Sequence, residues 1–516
     1  MKIKLTALII IVLIMISGCS SSKVDENVSI QESILLENEE VNDEIRSEIV
    51  YGEYTFDNPY LIIDPYESSP LTALVGFKTE EDMEVKVIVP GDVEEDTIEY
   101  TTEASKEHYV PIVGLYADRE NKVKLQLLKN NNLIEENEIS IETEALPEEL
   151  INAIEVEGSD EEILKGMTFI AGGNFKKPFA FDSSGNIRWF VDVLTDGHGM
   201  FFMENGRYMV MAGYNMVETE FRDYATGIFD MDLMGRLHKI YDIPEGVHHE
   251  IIEKTPDGNL LILANSLRNH VEDTVVEVDR DTGEILREID FNDIIIHEEY
   301  NDDYDWAHMN SMDYNYGENT AIFSIRDISS VVKLDMDTEE IIWMISDPEI
   351  WEGTDYEKYL LNSLNNDNKW FYEQHSAFEV EDLDNNPDTL DLMIFDNRII
   401  RSKTMTVEIK EDLEISSVVY YAIDEENKTI EEKRRISNSH AFITSNYDVF
   451  MEEDRLFANH GSLRPSSDAG IPDMWGEIYE YEYSIGELIR TYKVEHGFYR
   501  AYRLEINDIV EKWKLE

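Results

Sequence analysis

Between residues 51 and 147, short runs of alternating apolar and polar residues are separated by turn signals. The runs are Leu71-Thr-Ala-Leu-Val-Gly-Phe77, Glu84-Val-Lys-Val-Ile-Val89, Lys122-Val-Lys-Leu-Gln-Leu-Leu128 and Glu138-Ile-Ser-Ile-Glu142, with Pro90-Gly91 and Asn130-Asn131-Asn132 between them. A period of two over β-branched residues predicts strands, and about a hundred residues of such strands predict a small β-sandwich. From 148 to 516 a different unit recurs, a hairpin whose turn opens on an acidic or polar residue. It appears at Asp182-Ser-Ser-Gly-Asn-Ile-Arg-Trp189, Asp232-Leu-Met-Gly-Arg-Leu237, Asp279-Arg-Asp-Thr-Gly-Glu-Ile-Leu286, Asp335-Met-Asp-Thr-Glu-Glu-Ile-Ile-Trp343, Asp424-Glu-Glu-Asn-Lys-Thr-Ile430 and Tyr483-Ser-Ile-Gly-Glu-Leu488. Six such units, roughly 60 residues apart, predict a six-bladed β-propeller with long loops. The expected fold is all-β, a propeller preceded by the sandwich, with a helical or irregular insertion at 347–370.

The 516-residue chain carries 111 acidic and 43 basic residues, a formal charge of −68. Nucleic acid and anionic lipid surfaces would repel such a polyanion, so neither is an expected partner. Hydrophobic content of 42% is that of globular protein, so the acidity belongs on the outside of folded domains. The N-terminus places Lys2 and Lys4 before an apolar run from Leu5 to Ile16, then Ser17-Gly18-Cys19. This order predicts a secretory signal peptide over 1–19. Cys19, the chain's one cysteine, lies where a bacterial lipobox would lipidate it, so a membrane tether through Cys19 outside the plasma membrane is expected. No intramolecular disulfide can form. Residues 20–50 are rich in Ser, Glu, Asn and Asp and read as a solvated acidic tether, with room for a short helix near Ile34-Leu35-Leu36.

Candidate chemistry lies in three segments one blade apart: Glu245-Gly-Val-His248-His249-Glu250, Asp305-Trp306-Ala-His308-Met-Asn310-Ser311 followed by Ser324-Ile-Arg326, and Phe371-Tyr-Glu-Gln374-His375-Ser376. Each sets a histidine just before a predicted strand, the arrangement expected of side chains converging on a propeller axis. A lone histidine in that position is more often a surface or satisfied core group, and His270, His297, His440 and His460 are left in that class. Histidines with an arginine can bind a metal, bind an anion, or supply a nucleophile and its support. Arg326 would repel a divalent cation, and no carboxylate stands at tight ligand spacing within these segments, so neither metal nor cofactor is expected. An oxyanion suits the guanidinium fork of Arg326 better.

At these residues the chain resembles the bacterial arylsulfate sulfotransferases that work without a nucleotide donor. The resemblance runs through Asn58-Pro-Tyr60, Ser69-Pro-Leu-Thr-Ala-Leu74, Pro111-Ile-Val-Gly-Leu-Tyr116, His248-His249-Glu250-Ile251, His308-Met-Asn310-Ser311, Ser324-Ile-Arg326, Gln374-His375 and Tyr499-Arg500-Ala501, in order. It implies a six-bladed propeller behind a small β-sandwich, and transfer of a sulfuryl group from an aryl sulfate donor to a phenol acceptor through a sulfohistidine. His375 then corresponds to the nucleophile, and His249, His308 and Arg326 to the groups that grip the sulfate oxygens and assist departure of the phenoxide. Asn310 and His248 are candidate substrate contacts, with His249 favoured over His248 as the one that faces the site. The family's Asp-Asn-Gly appears here as Asp396-Asn397-Arg398, and the N-terminal disulfide of its periplasmic members is out of reach of a chain with one cysteine. A non-catalytic propeller that binds an anionic aromatic ligand, an aryl-sulfate hydrolase, and a homodimeric assembly all stay open.

Overall fold

The structure, a computed structural model, describes residues 30–159, 163–173, 177–220, 222–254, 258–266, 268, 270–296, 304–365, 369–399, 415–464 and 474–515. Cys19, the predicted signal peptide, the start of the predicted tether and His297 lie outside the described residues.

The N-terminal domain is built on one 18-residue strand, Thr72–Val89, long enough to serve two sheets. Its first half pairs with Tyr60–Ile63 and Ser105–Val113, and its second half with Ile98–Thr101 and Glu120–Lys129, which pairs in turn with Asn132–Glu142. Alternate residues of these strands, among them Val85, Val87, Val123 and Leu125, fill a core without exposed surface. The period-two pattern is thus the imprint of sheets with one wet and one dry face.

The remaining strands form six blades in a ring. Blade 1 is Arg500–Leu504, Met167–Ala171, Phe179–Phe181 and Ile187–Phe190. Blade 2 holds Thr195–Phe202, Tyr208–Val217, Tyr224–Met231 and the first half of the 17-residue strand Leu237–Glu253. The second half of that strand opens blade 3, continued by Leu260–Ala264, Thr274–Val278 and Ile285–Asp290. Blade 4 runs from Met309–Asn315 to Ile341–Ile345, and blade 5 from His375–Glu379 to Thr429–Ser437. Blade 6 runs from Asn446–Phe450 to Glu487–Val494, with Ile154–Gly158 added at its outer edge. The first propeller strand therefore closes blade 6 from outside while the last one opens blade 1 from inside. This double closure leaves the ring without a seam held by one blade alone.

Each predicted hairpin forms one β-hairpin of a blade, and in five of the six the turn has a local cause, while Ser484 in the sixth is held by the Asp454 carboxylate from the preceding hairpin. The Asp182, Asp232, Asp335 and Asp424 carboxylates each accept backbone N–H groups two to four residues on, at 2.9–3.2 Å, and Asp279 accepts from Thr282 at 2.7 Å. An aspartate at that place closes the turn through its own side chain. The 347–370 stretch holds a short helix, Pro348–Trp351, a 3₁₀ turn, Glu357–Tyr359, and a two-residue strand, Asn362–Ser363, that pairs in parallel with blade 5.

Residues 30–50 differ from the expected tether. Ile30–Tyr51 form a 22-residue helix, α1, with Ile45 and Ile49 fully buried against the sandwich. Gly76 lies under it, where a Cβ would overlap the Ile49 side chain. Asn38 Oδ1 accepts from Leu237 N–H of the propeller at 2.9 Å, and Asn42 Oδ1 accepts from Tyr66 Oη of the sandwich at 2.6 Å. The stripe Ile34, Asn38, Val41, Asn42, Ile45, Ile49 has helical spacing, but two asparagines dilute its apolar signal.

Candidate active site

The innermost strands of the six blades adjoin one another around the ring. His375 is the first residue of the innermost strand of blade 5, His308 immediately precedes that of blade 4, and His248 and His249 lie where the long strand crosses into blade 3. All four are at least nine-tenths buried. His249 (φ +53°) and His308 (φ +46°) occupy left-handed backbone, which costs of order 1–3 kcal/mol per residue and persists where surrounding structure imposes it.

His375 Nδ1 lies 2.7 Å from Asn397 Oδ1. The Asn397 amide is itself oriented, since its Nδ2 donates to the carbonyls of Ala441 (3.1 Å) and Thr444 (3.0 Å). Its oxygen must therefore face His375, so Nδ1 carries the proton and Nε2 keeps the lone pair. Burial, reinforced by Arg326, holds the His375 pKa well below the ordinary histidine value and keeps the ring neutral. Asn310 braces the same segment, its Nδ2 donating to the Gln374 carbonyl at 2.7 Å. Gln374 in turn donates to Ser324 Oγ and the Ser330 carbonyl, both at 3.0 Å.

His308 stands between charges of both signs. Its Nδ1 is 2.5 Å from Asp305 Oδ2 and 2.8 Å from Glu272 Oε2, and its Nε2 is 2.6 Å from Arg326 Nη1. Burial and Arg326 disfavour the imidazolium, but Asp305 and Glu272 outweigh them and push the pKa up to about 9. The short Arg326 contact, however, demands a lone pair on Nε2. A second proton on Nε2 therefore requires Arg326 Nη1 to draw back from this contact, as it would when an anionic oxygen enters and accepts from both groups. Arg326 is aimed by Asp327, which accepts from its Nε at 2.6 Å.

His248 and His249 divide their work. His248 Nε2 reaches the Ala264 carbonyl at 3.0 Å and so carries the proton; its Nδ1 then accepts from His249 Nδ1, 2.9 Å away. Burial lowers the His248 pKa to about 3 and that of His249 well below its ordinary value. His249 therefore keeps its lone pair on Nε2, and its ring packs against His308 and Tyr499 at 4.8 and 5.5 Å between centroids. His248 supports His249.

Sequence reasoning missed several groups that the fold brings here. His198, on the innermost strand of blade 2, has its ring 4.6 Å from that of His249, its Nδ1 2.8 Å from Asp196 and its Nε2 2.9 Å from Arg222. A histidine one blade before His249 was the available signal. Arg500 pairs with Glu250 at 2.7 Å and donates to the Asn310 carbonyl at 2.9 Å, bracing the opposite wall. The expectation that no carboxylate stands at tight ligand spacing within the three segments is corrected by Asp305, three residues before His308, and Glu272 from outside the segments joins both it and the His248–His249 pair at close spacing. The Glu272 carboxylate is already paired with Arg222 and His308, and that of Asp305 with His308, so a divalent ion would have to displace these groups. A further acidic set lies outside this cluster, with Asp382 and Asp384 on a hairpin loop of blade 5 and Asp391 on the strand Leu390–Asp396 that follows it.

A propeller whose blades jointly present buried histidines and a buried arginine in one cluster defines a site with the residue types for oxyanion binding and group transfer. The chain belongs to the arylsulfotransferase family. Residues 152–503 match the family described as "Arylsulfotransferase (ASST)", and residues 60–144 match "Arylsulfotransferase Ig-like domain". Two proteins called "Arylsulfate sulfotransferase AssT", from Lelliottia amnigena and Escherichia coli O6:H1, are each 24% identical to it, over 83% of this chain and 88% of theirs. Among solved structures, a periplasmic gluconolactonase from Pseudomonas aeruginosa aligns with 81% of this chain and 98% of its own at 9% identity, with a TM-score of 0.36, too low to bear on fold or chemistry.

Proposed function

We propose that the protein transfers a sulfuryl group from an aryl sulfate to a phenol through a covalent sulfohistidine on His375. The observation that carries this reading is the oriented Asn397 amide, which gives a buried, neutral His375 an Nε2 lone pair beside Arg326. In the first half-reaction Nε2 attacks sulfur, the S–O(aryl) bond breaks, and the phenoxide takes the proton of His308 Nε2. Arg326 holds the sulfuryl oxygens, where positioning and charge stabilisation supply most of the catalysis of a loose in-line transfer. In the second half the acceptor oxygen attacks sulfur, its proton passes to the Nε2 lone pair that His308 was left with in the first half, and the N–S bond breaks, which restores the starting state. Asn310 Oδ1, buried without a protein partner, can accept from the phenol hydroxyl. The lipobox-like Cys19 supports action outside the plasma membrane on a lipid tether.

The test is mass spectrometry of protein treated with 4-nitrophenyl sulfate at mildly alkaline pH. A sulfo adduct on the peptide containing His375, ping-pong kinetics with added phenol, and loss of both in His375→Ala are expected. Full turnover in His375→Ala overturns the assignment, and nitrophenol release that ignores added phenol identifies a hydrolase instead.

A further inference from the structure

Glu272, on the loop before strand Thr274–Val278 of blade 3, has no exposed surface. Its backbone is pinned from two sides: its N–H donates to Asn265 Oδ1 at 2.8 Å and its carbonyl accepts from Met309 N–H at 3.0 Å. Its φ of +57° lies in left-handed backbone. The carboxylate meets side chains from three blades. Oε1 accepts from Arg222 Nη2 at 2.7 Å and Tyr224 Oη at 2.8 Å, while Oε2 lies 2.8 Å from His308 Nδ1 and 3.5 Å from His249 Nδ1. A buried charge on strained backbone contributes little to stability compared with an apolar core residue of its size. Its geometry has to be explained by what it holds.

We propose that Glu272 is a positioning residue: it keeps His308 doubly protonated towards the sulfate ester and, through Arg222, ties that cation to His198 of blade 2. His308 is faced by Asp305 from its own loop, by Glu272 and His249 from blade 3, by Arg326 from blade 4 and by His375 from blade 5. Asp305 and Glu272 are the two anions in that set. His308, His249, Arg222 and Tyr224 all converge on Glu272, whereas Asp305 meets His308 through the three-residue turn they share. Charge removal at Glu272 therefore loosens both walls of the site, and removal at Asp305 only one.

This inference rests on the sulfuryl-transfer reading for the use of His308, but its test does not. In Glu272→Gln the carbonyl oxygen can still accept from Arg222 and Tyr224 while the charge is lost. Binding of inorganic sulfate is measured by calorimetry against pH, alongside turnover of 4-nitrophenyl sulfate. The alkaline fall in sulfate binding, set by loss of the His308 proton, is expected to move down by one pH unit or more. At a pH on the wild-type plateau near that limb, affinity then drops by about tenfold. Glu272→Asp restores the charge and returns the limb towards its original place, which a merely structural residue would not do. A limb that stays put in folded Glu272→Gln overturns the proposal. Should that variant not fold, Asp305→Asn decides: with Glu272 present part of the shift must survive, and a fall to ordinary histidine behaviour overturns the role given to Glu272. A shifted binding limb without sulfuryl turnover would retain Glu272 and refute the reaction.

Discussion

Replacing Asn397 tests the nucleophile without touching it. Its Oδ1 holds His375 Nδ1 at 2.7 Å, and its Nδ2 satisfies the carbonyls of Ala441 and Thr444. In Asn397→Ala the ring loses the acceptor that selects its tautomer, a bias worth about 1–3 kcal/mol in a buried site. At about 1.4 kcal/mol per tenfold, kcat should fall roughly 10- to 100-fold, with a smaller change in KM. The orphaned carbonyls add about 1–3 kcal/mol each to the loss of stability, so activity is normalised to folded protein by a urea titration. Asn397→Asp separates tautomer from charge. It keeps an acceptor for Nδ1 but sets a negative charge beside it, which raises the His375 pKa from its depressed value. The nucleophile is competent only when neutral, so this variant should lose activity as pH falls through the raised pKa and recover above it, an acidic limb that His375 does not produce in the wild type. The assay is 4-nitrophenyl sulfate turnover with saturating phenol between about pH 5 and 9. Wild-type kcat in folded Asn397→Ala, with no new acidic limb in Asn397→Asp, would refute the tautomer argument.

Two other outcomes follow from the structure. Ile49→Ala removes a fully buried side chain between α1 and the strand at Gly76, so it should destabilise the protein by about 2–5 kcal/mol in denaturant unfolding while leaving kcat of the folded protein unchanged; a stability equal to wild type would mean that α1 does not pack as seen. A chain of charge −68 repels an anionic ester at long range while Arg326 attracts it locally, so KM should fall as salt shortens the Debye length from ~10 Å at 0.1 M to ~3 Å at 1 M; a rise of KM with salt would show that local attraction governs encounter.

The repeating hairpins were legible because their cause is local. An aspartate that accepts N–H groups two to four residues on leaves a mark within a single turn in five of the six hairpins, and the structure holds one hairpin per blade at the six predicted places. His308, Arg326 and His375 were legible as a spaced set in segments of similar character. Helix α1 was not, because its docking rests on Tyr66, Gly76 and Leu237, which no window around residues 30–51 contains. Charge composition there described the wet face and hid the dry one.

The amino-acid order by itself determined an all-β chain, its sixfold repeat and the residue types of an oxyanion site, since turns, alternation and residue chemistry act over a few positions. Tertiary structure decided which nitrogen of each histidine keeps its lone pair, because Asn397 lies 22 residues from His375 and Ala264 lies 16 from His248. It also decided the charge state of His308, through a carboxylate from the neighbouring blade. Proton positions depend on partners within about 3 Å in space, and only closure of the ring brings those partners together.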